Sequence, residues 1–198
     1  MARAGLTAER LAQGGADLAD EIGFEQVTVA GLARRFKVKP ASLYFHVRSS
    51  ADLKARVALV ALAELADRAS EAVAGRSREA ALAALGNAYR NYAHEHPGRF
   101  AAMQLRLDSE TAARSDGPRH TRLMRAILRE YQLSEADQTH AVRLLGSTFQ
   151  GYVSLELSGS FSHSEPSSNE SWEHIIHGLH ILLQNWQVRQ PDTANNRE

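Results

Sequence analysis

Residues 27–53 read Val27-Thr28-Val29-Ala30-Gly31-Leu32-Ala33-Arg34-Arg35-Phe36-Lys37-Val38-Lys39-Pro40-Ala41-Ser42-Leu43-Tyr44-Phe45-His46-Val47-Arg48-Ser49-Ser50-Ala51-Asp52-Leu53, and they decide the fold. Val29, Leu32, Ala33 and Phe36 recur at helical spacing, and Thr28 stands where a hydroxyl accepts an amide hydrogen bond as N-cap. Pro40 falls near the start of a second helix, where its missing N–H costs little. That helix continues through Leu43 to about Val47. Ser49 or Ser50 then caps another, which begins near Asp52, an acid well placed for the helix dipole. Ala33 lets the two short helices approach, and Val38 and Leu43 plug them together. The pattern is a helix-turn-helix.

Charge sharpens the reading. The whole chain is neutral, with 23 basic and 23 acidic residues. Residues 26–56 nevertheless hold Arg34, Arg35, Lys37, Lys39, Arg48, Lys54 and Arg56 against the single acid Asp52, a local net of +6. The remainder must sum to −6. A neutral chain with one basic face suits local phosphate binding better than general adhesion to polyanions. In a helix-turn-helix the second helix enters the major groove with its N-terminal residues toward the base edges. The expected groove-facing set is therefore Lys39, Pro40, Ala41, Ser42, Tyr44 and His46. Thr28, Tyr44, Arg48 and Lys54 are the phosphate candidates, since hydroxyls and cations position a protein on a duplex. Phe45 reads as packing rather than readout. Double-stranded DNA is the expected partner.

Working outward, helical periodicity runs from end to end and no strand-type alternation competes with it. A first helix is expected from Thr7 to Ile22, with Leu11, Gly15, Leu18 and Ile22 at helical spacing and Gly23 as its stop. Phe24 and Val27 look like core plugs in the connection. The helix from Asp52 runs to about Ala74, before Gly75. Ser77 opens the next, which carries Leu82, Leu85, Tyr89 and Tyr92 and is broken by Pro97-Gly98. A shorter helix carries Phe100, Met103 and Leu107. Residues 108–117 read as a polar mobile loop, and Pro118 opens a helix through Leu123, Ile127 and Tyr131. Ser134 and Asp137 resemble a capping box with a shorter acid. Behind them lie Val142, Leu145, Phe149, Tyr152 and Val153. Residues 158–171 form a second polar loop, followed by a last helix; from Gln190 the chain is expected to fray. The expected architecture is all-α, about nine helices: a three-helix head over residues 1–50 and a larger helical bundle over 51–198.

Several classes drop out. No run approaches the ~20 apolar residues needed to span a bilayer, so no membrane partner is expected. The N-terminus lacks the uninterrupted apolar stretch of a secretion signal. With no cysteine there is no disulfide and no thiolate ligand or nucleophile. A cytoplasmic protein fits. There is no phosphate loop, nucleophile elbow or His-Glu-x-x-His helix, so no catalytic residue and no cofactor is assigned. His174, His177 and His180 are three apart and drift by about 60° per step from a stacked row; no metal is expected.

Two further sets come from the later helices. Tyr89, Tyr92, Met103, Leu107, Met124, Phe149 and Tyr152 lie on four helices that could surround a hydrophobic or aromatic small molecule. The final helix carries Trp172, Ile175, Ile176, Leu179, Leu183 and Trp186 in a stripe, with Ile181 and Leu182 beside it. An apolar arc this broad needs cover on two sides. A second copy supplying two equivalent helices gives it, with Leu145 completing the expected dimer interface.

The segment from about Thr7 to Leu53 resembles the DNA-binding domain of TetR-family transcriptional regulators. The carrying residues are Gly23-Phe24, Thr28-Val29-Ala30-Gly31-Leu32-Ala33, and Leu43-Tyr44-Phe45-His46-Val47 followed by Asp52-Leu53. The His96-Pro97-Gly98-Arg99-Phe100 segment is similar to one C-terminal subclass of that family. The resemblance implies an all-helical homodimer. It also implies a repressor more often than an activator, released from a palindromic operator when a small-molecule effector binds the C-terminal domain. Two positions depart from the family pattern: Lys37 stands where the turn usually has glycine, and Ser50 where a lysine is favoured. A left-handed Lys37 would cost on the order of 1 kcal/mol. A second reading is a helical interaction protein whose basic head binds a protein or RNA partner; it predicts no sequence preference on duplex DNA.

Overall fold

Thr7 begins the ordered architecture: its hydroxyl accepts the Arg10 N–H and opens a helix of 15 residues. In the computed structural model, which describes residues 6–186, nine α-helices and no strand occur among the described residues. They are α1 (Ala8–Ile22), α2 (Val29–Phe36), α3 (Ser50–Val73), α4 (Arg78–Glu95), α5 (Pro97–Ala102), α6 (Ser109–Arg114), α7 (Gly117–Leu128), α8 (Glu135–Leu157) and α9 (Ser168–Gln184). Single 3-10 turns occupy Phe24–Gln26, Pro40–Ser42 and Arg129–Tyr131.

The start and stop signals act where the sequence puts them. Thr28, Ser49 and Ser134 each accept an amide hydrogen bond from the first turn of the following helix. Gly23 and Gly75 turn the chain at φ of 88° and 70°. The inventory differs in four places. Residues 40–47 are one 3-10 turn and further turns rather than a full helix. The polar stretch after Asp108 contains α6, capped by the Asp108 carboxylate on the Thr111 N–H. A capping box between Ser167 and Glu170 starts α9 at Ser168, ahead of the expected Trp172. Local capping chemistry settled both of these helix starts. Met103 to Leu107 lie beyond the end of α5, in a turn at Met103 and Gln104 that passes into irregular chain. The expected fraying from Gln190 lies outside the described residues.

Two apolar cores form. The smaller joins Leu11, Val27, Leu32, Leu43, Val47 and Leu53 with Val57 of α3. The larger joins α4, α7, α8 and α9 through residues such as Leu85, Tyr92, Leu128, Phe149 and Trp172. Helix α3 belongs to both, since Leu53 and Val57 enter the first and Leu65 and Ala69 the second. Ala102, Leu105 and Leu107 also pack on the smaller core, so the head gathers residues well beyond position 50.

One expectation about α9 needs correcting. Leu145, Trp172, Ile176, Leu179 and Leu183 are buried in the chain's own core. The cause is α4: at Gly86 an added Cβ would stand 2.8 Å from the Ile176 side chain and 3.0 Å from Trp172. With no side chain there, α9 settles against α4, and the main stripe faces inward. Of the expected interface set, Ile175 and Trp186 stay half-buried. The outward apolar residues are instead Ile181 and Leu182, each 44% exposed, with Leu155 and Leu157 on α8.

Candidate nucleic-acid interface and effector core

The head places two helix starts side by side. Thr28 Oγ1 accepts the Gly31 N–H at 3.1 Å, while Ser50 Oγ, from the start of α3, accepts the Val29 N–H at 3.2 Å. Ser50 therefore ties α3 to α2 instead of offering a cation. Asp52 accepts the Arg48 backbone N–H at 2.8 Å and the Arg56 guanidinium at 3.2 Å, which holds the chain entering α3.

Between the helices Lys37 adopts the left-handed conformation, φ 53° and ψ 44°, so α2 ends as a glycine would end it but with a side chain in place. Val38 N–H then bonds back to the Ala33 carbonyl, the close of a left-handed helix end. On the following segment Leu43 and Val47 are buried anchors. Lys39, Pro40, Ala41, Ser42, Tyr44 and Arg48 are exposed, and His46 is half-buried. Phe45 is 89% exposed and Tyr44 55%. The sequence reading of Phe45 as packing is therefore overturned: anchors at 43 and 47 leave no inward path for 45.

The basic stretch resolves into two groups. Lys54 pairs with Glu25 at 2.8 Å and lies over the Phe24 ring. Arg35 pairs with Glu21 and Asp17, and Arg56 with Asp52. Arg34, Lys37, Lys39 and Arg48 have no ion pair among the described residues. Lys54 is thus a weaker phosphate candidate than its position in the sequence suggests, since its ammonium is already engaged.

A polar junction holds the head to the rest. The guanidinium of Arg99, only 6% exposed as a residue, reaches Asp17 and Asp20 of α1 and Glu64 of α3. Asp20 also accepts the Arg99 backbone N–H at 2.9 Å, and His96 Nδ1 lies 2.9 Å from its other oxygen. The His96–Phe100 segment thus docks α5 on α1, a role for which the sequence carried only a family likeness.

In the larger core Tyr89, Tyr92, Met124 and Phe149 come together, with Met103 and Tyr152 packed at its margin. Leu107 joins the head core instead. Sequence reasoning missed His120, which sits on the face of α7 that also carries Met124 and Ile127, and is buried with them. Its spacing of four and seven from those residues was the available signal. His120 Nε2 lies 2.9 Å from the Leu62 carbonyl of α3, and its Nδ1 2.6 Å from Tyr89 Oη. A carbonyl only accepts, so Nε2 carries the proton and the tyrosine hydroxyl donates to Nδ1. Burial pushes the tyrosine upward and holds the imidazole below its ordinary value, so both stay neutral. This chain of contacts links α4, α7 and α3. A surface groove of about 530 Å³ runs along Arg68, Ala72, Ala84 and Ala88, and another of about 570 Å³ lies between Phe24 and Leu105. Neither is lined by the Tyr89 cluster.

No group of three or more His, Asp or Glu side chains suited to a metal occurs among the described residues. His177 and His180 meet Glu79 and Tyr131 instead. No helix among the described residues is long and apolar enough to cross a membrane.

Comparison with known proteins agrees with this geometry. Residues 82–179 match the family model described as the tetracyclin repressor-like C-terminal domain. The chain is 31% identical over 161 residues to the HTH-type transcriptional regulator Rv0681 of Mycobacterium tuberculosis, covering 78% of this chain and 72% of that one. It is 30% identical over 164 residues to the HTH-type transcriptional regulator YobS of Bacillus subtilis, covering 82% and 85%. The fold is shared with a TetR variant from Acinetobacter baumannii AYE, solved in complex with minocycline. That match has TM-score 0.67 at 18% identity and covers 89% of this chain and 96% of that one.

Proposed function

Because the chain belongs to the TetR family of helix-turn-helix transcriptional regulators, we propose that it is a repressor that holds a palindromic operator as a homodimer and releases it on binding a small molecule. The observation that carries this reading is the exposed recognition segment, residues 39–48, anchored by Leu43 and Val47 and flanked by the free cations Arg34, Lys37, Lys39 and Arg48. Lys39, Pro40, Ala41, Ser42 and Tyr44 face base edges, while Thr28, Tyr44 and Arg48 contact phosphates. Two heads read half-sites ~34–36 Å apart, or a multiple of that. Helices α8 and α9 join the protomers through Ile175, Ile181, Leu182 and Leu155.

The effector is hydrophobic or aromatic, and Tyr89, Tyr92, Met124, Phe149 and Tyr152 surround it. Tyr89, Tyr92, Met124 and Phe149 are buried, so a ligand enters by displacing them, and the movement that admits it separates α4 from α7. That movement pulls on the His120–Leu62 contact, and through it on α3, which is shared with the head. The effector binds this shifted state more tightly than the DNA-competent one, and its differential affinity sets the size of the response. A ligand that bound tightly yet left operator affinity unchanged would sink this mechanism.

The test is a selection of genomic fragments with the purified protein, repeated with Lys39→Ala and Tyr44→Ala combined. A shared palindrome that is lost in the double variant supports the proposal. Salt-sensitive binding with no enriched motif rejects it and favours a basic surface that meets a protein or RNA partner.

A further inference from the structure

We propose that Phe45 is a specificity-determining residue that reads the 5-methyl group of a thymine in each operator half-site. The inference rests on the DNA-binding reading above and assigns a role to a side chain that reading leaves unused.

Phe45 is the most exposed large apolar side chain described, at 89%. Its neighbours on either side within the segment are fixed: Leu43 and Val47 are buried, and the Val47 N–H bonds to the Leu43 carbonyl at 2.9 Å. Their packing holds the intervening residues on the solvent side. The ring therefore stands on the same short segment as the free cations Lys39 and Arg48 and beside the exposed Tyr44. That charge draws the segment onto a phosphate backbone.

A phenyl ring has no donor and no acceptor, so it gains nothing from phosphate oxygens or from the polar base edges. Among the major-groove edges only thymine presents an apolar group, its C5-methyl. An exposed phenylalanine carried into the groove by its neighbours finds there the one partner that its chemistry can use. Tyr44, by contrast, carries a hydroxyl and is suited to the backbone.

The experiment uses the full-length protein and the operator recovered by selection. Each thymine of one half-site and its symmetry mate is replaced in turn by uracil, which removes only the methyl. Binding is measured for the wild type and for Phe45→Ala. Burial of one methyl is worth about fourfold in affinity per half-site. One symmetric pair of replacements is expected to weaken wild-type binding by about fifteenfold, two such contacts being lost. Phe45→Ala is expected to bind the unmodified operator about as weakly and to be indifferent to that same replacement. Unfolding midpoints of the two proteins should coincide, because the ring is exposed.

If Phe45→Ala keeps full affinity, or keeps the same uracil penalty at every position as the wild type, the assignment to Phe45 is overturned while the operator reading stands. If the wild type selects no duplex sequence, both fall together.

Discussion

The backbone of Gly98 lies against that of Ala19 so closely that a Cβ built on Gly98 would stand 2.0 Å from the Ala19 carbonyl oxygen and 2.6 Å from the Asp20 nitrogen. Only glycine permits this approach. It lets the start of α5 seat on α1, and it brings Arg99 into reach of Asp17 and Asp20. Gly98→Ala should therefore push α5 off α1 and cost ~3 kcal/mol or more, because backbone cannot yield as a side chain does. Denaturant titration measures this, and an unchanged midpoint would show that α5 is not docked as described.

Lys37 offers the opposite sign. Its left-handed backbone costs roughly 1–2 kcal/mol relative to a residue without a Cβ. Lys37→Gly should raise the stability of the head by ~1 kcal/mol, read as a higher unfolding midpoint. The same change removes a free cation, so operator affinity should fall and become less dependent on salt. A destabilised Lys37→Gly protein would mean that the turn is held by contacts of the side chain.

Salt dependence separates the two groups of cations. Among the described residues four basic side chains per head have no ion pair; eight in a dimer give an expected slope of about −7 in log affinity against log salt. Arg48→Ala, which removes a phosphate contact, should reduce its magnitude by about 2. Lys54→Ala should leave it nearly unchanged, since that ammonium is paired with Glu25. Equal effects of the two substitutions would show that Lys54 exchanges its carboxylate for a phosphate in the complex.

The dimer surface can be tested against the fold. Ile181→Glu with Leu182→Glu changes two outward-facing residues of α9 and should yield a folded monomer by sedimentation, with operator binding lost. Trp172→Ala, in the core, should instead lower stability by ~3–5 kcal/mol. A double Glu variant that remained dimeric would move the interface away from α9.

Two windows of pH should be visible. Burial holds His120 below its ordinary value, with the Leu62 hydrogen bond opposing in part. The unfolded chain takes up a proton near pH 6.5 where the folded chain does not, so stability falls as pH drops below about 6.5. His120→Gln should remove that part of the slope. Glu156 is held at about 2, chiefly by hydrogen bonds from Arg90 and despite the opposing effect of burial. Its stabilisation is present above its ordinary value of 4.5 and is lost as pH falls toward 2. Arg90→Gln should flatten this lower window while leaving the upper one intact.

The sequence alone determined what depends on neighbours a few residues away. Thr7, Thr28, Ser49 and Ser134 cap helices because a hydroxyl meets an amide three positions on, a contact closed within one turn. Glycine at 23 and 75 stops helices for an equally local reason. The all-α architecture and the basic face follow from such short-range patterns, whereas the second helix expected over 40–47 folded as a 3-10 turn followed by further turns. Tertiary structure decided what depends on competition between distant surfaces. Helix α9 has two apolar arcs, and the gap at Gly86 determined which one turns inward. The cations of the basic stretch look alike in sequence, yet acids 14 and 29 residues away neutralise Arg35 and Lys54 and leave Lys39 and Arg48 free. Phe45 is exposed because Leu43 and Val47 claim the core on either side of it, and Arg99 is buried because α1 and α3 supply its carboxylates. Periodicity locates a face; only packing chooses its partner, because each apolar face could be covered in more than one way and the least costly arrangement is a property of the whole chain.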